Sequence, residues 1–435
     1  MENIIKDILE FISANDVKFI RLAFCDPFGV LKNLSIMPTE LENAFYHGVS
    51  FDGSAIKGFE DISTSDLFLF PDPTTLSALP WRPEPGCVIK FNCDIKRPDG
   101  SIYTSDSRNI LKQAIKKLNK LGYSAKIGAE CEFYLFKLDE YGKPTYTPID
   151  NGGYLDVAPI DMGEDVRREI CLLLSEMGLS PESSHHEQGA GQNEIDFKYS
   201  DPLSCADNLL TVKNLVKIVA SRHGLFASFM PKPLQDDSGS GLHINISLTK
   251  HGNNIFSSQF LQQDIRDNFI AGILCKMSEM TLFLNPTINS YDRLGAFEAP
   301  KYISWSHQNR SALIRIPAEN DERTRIELRS PDSSLNPYLA FALLLNAGMY
   351  GIEHKLQIDP ESNINLYTAS DEQLRALELL PQTIEEAINI AKSSEFVKNV
   401  LGEEFVSKYI ALKEQEANMS TDKTKFYTNE YFYNI

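Results

Sequence analysis

The chain has 435 residues, enough for one large core and a smaller domain beside it. Its 42% hydrophobic and 10% aromatic content fits a packed globular protein and excludes a disordered one. Lys+Arg total 42 against Asp+Glu 60, a net charge of −18, so nucleic-acid binding is not expected and an anionic substrate would need a local basic cluster.

The first stretch, "MENIIKDILEFISANDVKF", mixes acids into a helical rhythm of Ile4, Ile5, Ile8, Leu9 and Ile12. It predicts an amphipathic helix, because a signal peptide needs a basic start and an unbroken apolar run. "VKFIRLAFCDPFGVLKNLSI" predicts two strands joined at the turn Asp26-Pro27-Phe28-Gly29. Prolines at 71, 73, 80, 83 and 85 and the turn "RPDG" at 97–100 complete a strand- and turn-rich region. "TSDSRNILKQAIKKLNKLG" then reads as a capped amphipathic helix ending at Gly122. We place a boundary near residue 102, giving domains 1–102 and 103–435. Beyond it, helices are expected at about 161–178, 201–223, 261–283, 337–354 and 382–393, alternating with strands. The apolar tract from Leu339, "LAFALLLNAGMYGI", is too short for a bilayer. It predicts a buried helix with Asn336 as N-cap and Pro337 in its first turn. No membrane association is expected. Seven cysteines without a CxxC pair imply reduced thiols, a cytoplasmic location and no cysteine-ligated zinc.

The strands carry the chemistry. "GAECEFYLF" (128–136) sets Glu130 and Glu132 on one face of a strand, with Cys131, Phe133 and Leu135 opposite. "SGLHINISL" (240–248) groups His243, Asn245 and Ser247. "RIELRS" (325–330) groups Arg325, Glu327 and Arg329, and "QNEIDFKYS" (192–200) groups Glu194 and Asp196. Each segment offers an apolar face to a core and a face of ligand-type residues. The expected architecture is α+β, with a curved antiparallel sheet backed by helices and a charged site on its concave face.

A lone Glu-x-Glu could be a solvated strand face, and a lone histidine a satisfied sheet residue. Here "ESSHHEQGAGQNEID" (182–196) adds Glu187 and Glu194 around a Gly-rich turn. Five carboxylates and one histidine on inward faces suit Mg²⁺ or Mn²⁺, whose charge relieves the repulsion. Arg293, Lys301, Arg310, Arg315, Arg323, Arg325 and Arg329 form a second, positive constellation. Arginine forks suit phosphate or carboxylate. Metal carboxylates with an arginine clamp fit phosphoryl transfer from a nucleotide, yet no P-loop or kinase signature is present.

"FDGSAIKGF" (51–59), "GAECEFYLF", "HHEQGAGQNEID" (185–196), "KPLQDDSGSGLHINIS" (232–247), "NPTINSYDRLGAFEAP" (285–300), "NRSALIRIP" (309–317) and "RIELRSPDSSLNPYLA" (325–340) together resemble type I glutamine synthetase. They follow the family's order over nearly the whole chain. The resemblance implies a small N-terminal β-grasp domain, a large catalytic domain and a dodecamer of two hexameric rings with active sites between subunits. It makes Glu132, Glu187 and Glu194 the ligands of one metal, and Glu130, His243 and Glu327 those of a second. Arg293, Arg310 and Arg329, with the backbone at Gly239, would hold glutamate; Arg310 and Arg315 would face phosphate. Glu182, Phe197, Tyr199, Asn245 and Ser247 would line the nucleotide pocket. Glu298 matches the flap glutamate, which also borders the glutamate substrate, and Asp52 the aspartate that a neighbouring subunit offers to ammonium. The implied reaction ligates ammonia to L-glutamate through γ-glutamyl phosphate, giving L-glutamine, ADP and phosphate, with ATP as co-substrate.

The sequence departs from the pattern at Ser54-Ala55, where Ser-Ser is usual, and at Ser238, where Asn is common. Its flap, "RLGAFEAP", is shorter than the common "RLVPGYEAP". Asp61 stands where several members of the unmodified subtype carry an arginine linked to feedback inhibition. Tyr367 aligns with the tyrosine adenylylated in the other subtype, but the insertion typical of that subtype is absent; the resemblance is to the short, unadenylylated alpha subtype. Two alternatives share the residues: a γ-glutamyl ligase for an amine or polyamine, and a catalytically silent structural or regulatory relative. Asp52 and Glu298 favour ammonia, since an ammonium pocket needs compact anionic groups.

Overall fold

The computed structural model describes residues 2–81, 86–318, 323–419 and 427–435. Pro83 and Pro85 lie outside the described residues. Near the N-terminus, helix α1 (Glu2–Ala14) buries Ile5, Ile8 and Ile12 of the predicted stripe, while Leu9 is half-buried and Ile4 stays exposed. Six strands follow: β1 (Val17–Cys25), β2 (Leu31–Ile36), β3 (Val49–Asp52), β4 (Asp66–Pro71), β5 (Ser77–Ala78) and β6 (Cys87–Lys96), with α2 (Leu41–His47) between β2 and β3. They form one sheet in the order β2-β1-β6-β4-β3, with β5 on β6. The β1–β2 hairpin turns where expected: Asp26 Oδ1 accepts from the amides of Phe28 and Val30, and Gly29 takes φ 82°. The β1–β6 pairing is parallel, so this sheet is mixed.

The second sheet contains ten strands: β7 (Ser124–Leu138), β8 (Pro144–Pro148), β9 (Pro181–His186), β10 (Gln192–Phe197), β11 (Leu225–Ser228), β12 (Leu242–Lys250), β13 (Asn253–Asn254), β14 (Trp305–His307), β15 (Ile314–Ile316) and β16 (Ile326–Leu328). Its main order is β14-β15-β16-β12-β7-β10-β9. The described pairings are antiparallel except β14 with β15. One face is apolar. Cys131, Phe133, Leu135, Ile195, Ile244, Ile246, Ile326 and Leu328 join a single core with the covering helices.

The helices after residue 102 are α3 (Ser107–Lys120), α4 (Glu164–Glu176), α5 (Pro202–Arg222), α6 (Gln263–Leu284), α7 (Ser290–Arg293), α8 (Pro337–His354), α9 (Asp371–Leu374), α10 (Ile384–Ser393), α11 (Glu395–Leu401) and α12 (Glu403–Met419); α9 buries no residue in that core. The expected helices appear within a few residues of their predicted ends, whereas α2, α7, α9, α11 and α12 were not foreseen. Asn336 caps α8 by accepting from the amides of Tyr338 and Leu339, with Pro337 at the first position. Helices α6 and α8 touch backbone to backbone: a Cβ at Gly351 would lie 1.9 Å from the Asn268 carbonyl oxygen. Among the described residues no helix is long and apolar enough to cross a membrane.

Two buried ties join the sheets. Asn336 Nδ2 donates to the carbonyls of Asp26 and Pro27, fixing the β1–β2 turn against the start of α8. Arg108 of α3, 3% exposed, pairs with Asp72 and Asp94 at the small sheet and with Asp207 of α5. The polar face of the large sheet remains open as a cleft.

Candidate active site

Strand register brings the charged residues together. Across β7 and β10, Glu132 stands opposite Glu194 and Glu130 opposite Asp196. Across β7 and β12, Glu130 stands opposite His243. Glu327 of β16 faces Asn245 on one side and Arg315 of β15 on the other. Two directly opposed carboxylate pairs are unfavourable in a bare sheet. They line a cleft of about 430 Å³ with Glu187, Gly239, Arg293, Glu298, Arg310, Arg315 and Arg329.

Three donor atoms of Glu130, His243 and Glu327 lie within 4.8 Å of one another. His243 Nδ1 is 2.9 Å from Glu130 Oε2 and 3.8 Å from Glu327 Oε1. Burial alone would raise the Glu130 carboxyl, but His243, Asn245 and Arg325 outweigh it and hold it down at about 2. Glu327 has no exposed surface and is gripped from both sides: Arg315 Nε donates to Oε2 at 2.6 Å and Arg329 Nη1 to Oε1 at 2.6 Å.

A second group comprises His185, Glu187 and Glu194. Here charge is not compensated. Burial and then the charge of Glu132 push the Glu187 carboxyl up to about 8, and the same two causes raise Glu194. Asp196 Oδ1 is buried without a hydrogen-bond donor. Glu132 sits between the groups; its Oε2 accepts from Gln192 Nε2 and the Gly241 amide, and its Oε1 is 3.9 Å from His243 Nε2. Clustered hard oxygen donors, an imidazole and an orphaned carboxylate oxygen fit divalent cations, which supply the missing positive charge.

Arg293 is 4% exposed and donates from Nη1 to the Ser330 carbonyl at 2.7 Å. Its approach requires glycine: a Cβ at Gly239 would meet its side chain at 2.8 Å, and one at Gly241 its Nη2 at 2.6 Å. Arg329 reaches 3.6 Å from Glu298 of the flap, and its Nε donates to the Arg310 carbonyl. Beside the cleft, Tyr199, Asn245 and Ser247 line a pocket of about 280 Å³ with Arg325 and Phe260. A polar chain joins pocket and cleft: Arg325 Nε donates to Asn245 Oδ1, and Asn245 Nδ2 to Glu130 Oε1.

Three expected residues lie elsewhere. Glu182 is exposed on β9 and Phe197 is half-buried against the core; neither borders the smaller pocket. Asp52 is an exposed N-cap outside the cleft of its own chain, where the Ser54 hydroxyl and amide hold its carboxyl below the ordinary range. The site also contains residues that sequence reasoning left out. His185 pairs with Glu194 across β9 and β10, and Tyr154 packs edge-on against His185. Gln192 bridges Glu132 to Ser238 and the Gly239 carbonyl. Strand alternation, which had already grouped Asp196 with Glu194, could have flagged Gln192 as well, whereas nothing local pointed to Tyr154.

Placed after a small mixed sheet, this cleft of clustered carboxylates, imidazole and guanidinium groups is the site of an α+β protein suited to divalent cations and anionic substrates. Residues 16–98 match the sequence profile of the glutamine synthetase beta-Grasp domain, and residues 104–431 that of the glutamine synthetase catalytic domain. The chain belongs to the glutamine synthetase family. It is 48% identical over 418 residues to glutamine synthetase of Methanosarcina mazei, covering 94% of this chain and 93% of that one. With glutamine synthetase of Clostridium saccharobutylicum it shares 45% identity, covering 94% of each. The cryo-electron-microscopy structure of Plasmodium falciparum glutamine synthetase superposes with a TM-score of 0.85 at 27% identity, covering 98% of both chains. A GmaS/ADP complex superposes with a TM-score of 0.86 at 29% identity, covering 95% of this chain and 96% of that one.

Proposed function

We propose that this cleft carries out the family's reaction, ATP-dependent ligation of ammonia to L-glutamate, with the residue roles that follow. Glu132, Glu187 and Glu194 hold one divalent cation, Mg²⁺ or Mn²⁺, and Glu130, His243 and Glu327 a second. When bound, these cations neutralise charge on the nucleotide phosphates and the transferring group. Arg293, Arg310, Arg329 and the Gly239 backbone position glutamate, while Arg310 and Arg315 face the phosphates. Tyr199, Asn245 and Ser247 border the nucleotide; Glu182 and Phe197, which lie away from that pocket, take no part. The γ-carboxylate oxygen attacks the γ-phosphorus of ATP and the bond to ADP breaks, leaving γ-glutamyl phosphate. Asp52 of a neighbouring copy then attracts ammonium and takes its proton. Ammonia attacks the acyl carbon, phosphate leaves, and Glu298 keeps water away.

The observation that carries this reading is the Glu130–His243–Glu327 group, with ligand atoms within 4.8 Å and two guanidinium groups against its buried carboxylate. The test is phosphate release by purified protein given ATP, Mg²⁺, glutamate and ammonium. Release should require all four. Faster turnover with a polyamine than with ammonium at equal concentration would overturn the choice of acceptor.

We further assign the domain boundary near residue 102, which the profile matches ending at 98 and starting at 104 support. The family is oligomeric, and for this chain we propose a dodecamer of two hexameric rings. Its support is an Asp52 outside its own cleft and an exposed apolar loop beside that cleft, carrying Leu155, Val157, Ile160 and Met162. Seven free cysteines support a reducing, cytoplasmic setting.

A further inference from the structure

The flap holding Glu298 is a strained turn with two external anchors. Within it, the Gly295 amide donates to the Ala299 carbonyl at 2.8 Å and the Ala299 amide to the Ala296 carbonyl at 3.0 Å. Phe297 and Glu298 take successive left-handed conformations, φ 46° and 66°, which L side chains disfavour. Such a pair persists only where its surroundings impose it. One anchor is the 3.6 Å approach of Glu298 to Arg329. The other is Lys232, whose Nζ lies 4.4 Å from the centre of the Phe297 ring.

Lys232 is well placed to act as a fixed post. It is 9% exposed, and Asn289 Nδ2 donates to its carbonyl at 3.0 Å. Its ammonium also donates to the Asp237 carbonyl, in the loop that leads to Ser238 and Gly239. The post therefore belongs to the glutamate-binding side of the cleft. Phe297 is 50% exposed, so the cation over its face is a main restraint on that ring.

We propose that Lys232 is a positioning residue for the ligation: through its cation–π contact with Phe297 it holds the strained turn so that Glu298 stays over the reacting acyl group. The inference rests on the ligase reading above. When the turn relaxes, water enters in place of ammonia. Its oxygen attacks the γ-carbonyl carbon of γ-glutamyl phosphate, the carbon–oxygen bond to phosphate breaks, and glutamate and phosphate form without glutamine. Loss of the contact thus separates phosphate release from glutamine formation, which a merely structural role for Lys232 would not do.

The experiment measures phosphate and glutamine together, with ATP, Mg²⁺, glutamate and ammonium, for the full chain and its variants. Lys232→Met should raise phosphate released per glutamine by about threefold to tenfold, the scale of one such contact. Phe297→Leu, a change at a half-exposed position, should do the same even if Lys232→Met fails to fold. Lys232→Arg and Phe297→Tyr keep a cation and a ring and should retain the wild-type ratio. Lys232→Met with Phe297→Leu should leak no more than either alone. An unchanged ratio in Phe297→Leu or a folded Lys232→Met, equal leakage in Lys232→Arg, or additive leakage in the double variant would overturn the proposal. A wild-type protein that releases no phosphate would instead remove the ligase reading on which it rests.

Discussion

Glu327 has no exposed surface and two arginine partners at 2.6 Å. Neutralising it leaves the buried Arg329 and the partly buried Arg315 without their shared counter-charge, so Glu327→Gln should cost about 3 kcal/mol or more of stability. With the role proposed above for Glu327, turnover should fall by about 100-fold or more; urea unfolding and phosphate release measure the two effects. Glu187 carries the opposite imbalance. Folded and metal-free, it keeps its proton up to about 8, whereas the unfolded carboxyl releases its proton near ~4.3. Between those values the folded chain binds more protons than the unfolded one, so stability falls as pH rises through the window. Melting of chelator-stripped protein should therefore drop from about pH 5 to 8, and added Mg²⁺ should stabilise more at the upper end. A flat profile without metal would contradict this. The carboxylates were legible in the sequence because alternation put them on one face. The upward shift of the Glu187 and Glu194 carboxyls was not, because burial and the distance to Glu132 are tertiary quantities.

At the scale of elements, the start of α8 does two jobs. Asn336 caps the helix with its side-chain oxygen and ties the β1–β2 turn with its nitrogen. Asn336→Ala should cost about 2 kcal/mol, more than a cap alone, because buried carbonyls of Asp26 and Pro27 lose a donor. Asn336→Asp keeps the cap and loses the tie, so chemical denaturation of the two variants separates the contributions. If both variants lost equal stability, the tie would account for the whole cost. The cap was readable from "NPYLA" and the hairpin from "DPFG", both local signals. Their contact was not readable, since 310 residues separate Asn336 from Asp26. Helices α11 and α12 escaped prediction in a C-terminal stretch for which the sequence reading offered no element.

At the scale of the whole molecule, Asp52 lies outside the cleft that its own chain supplies. If sites form between copies, two variants that are each impaired at limiting ammonium should rescue each other under that condition. Asp52→Asn and Glu194→Gln, unfolded and refolded together in equal amounts, should recover about a quarter of wild-type turnover, because one random pairing in four is intact. Absence of recovery in an assembly shown to be mixed would place Asp52 outside the chemistry. Asp52→Asn alone should mainly weaken ammonium saturation, read from initial rates.

The sequence by itself determined which faces are polar, where helices start and turns fall, and which residue types could hold cations and anions. Those features follow from the geometry of a few consecutive residues. Only the tertiary structure decided the pairing: Glu130 against His243, 113 residues apart, Glu194 beside His185, and Glu327 between Arg315 and Arg329. Register and burial arise from strands distant in the chain, and they decide which charges each carboxylate meets.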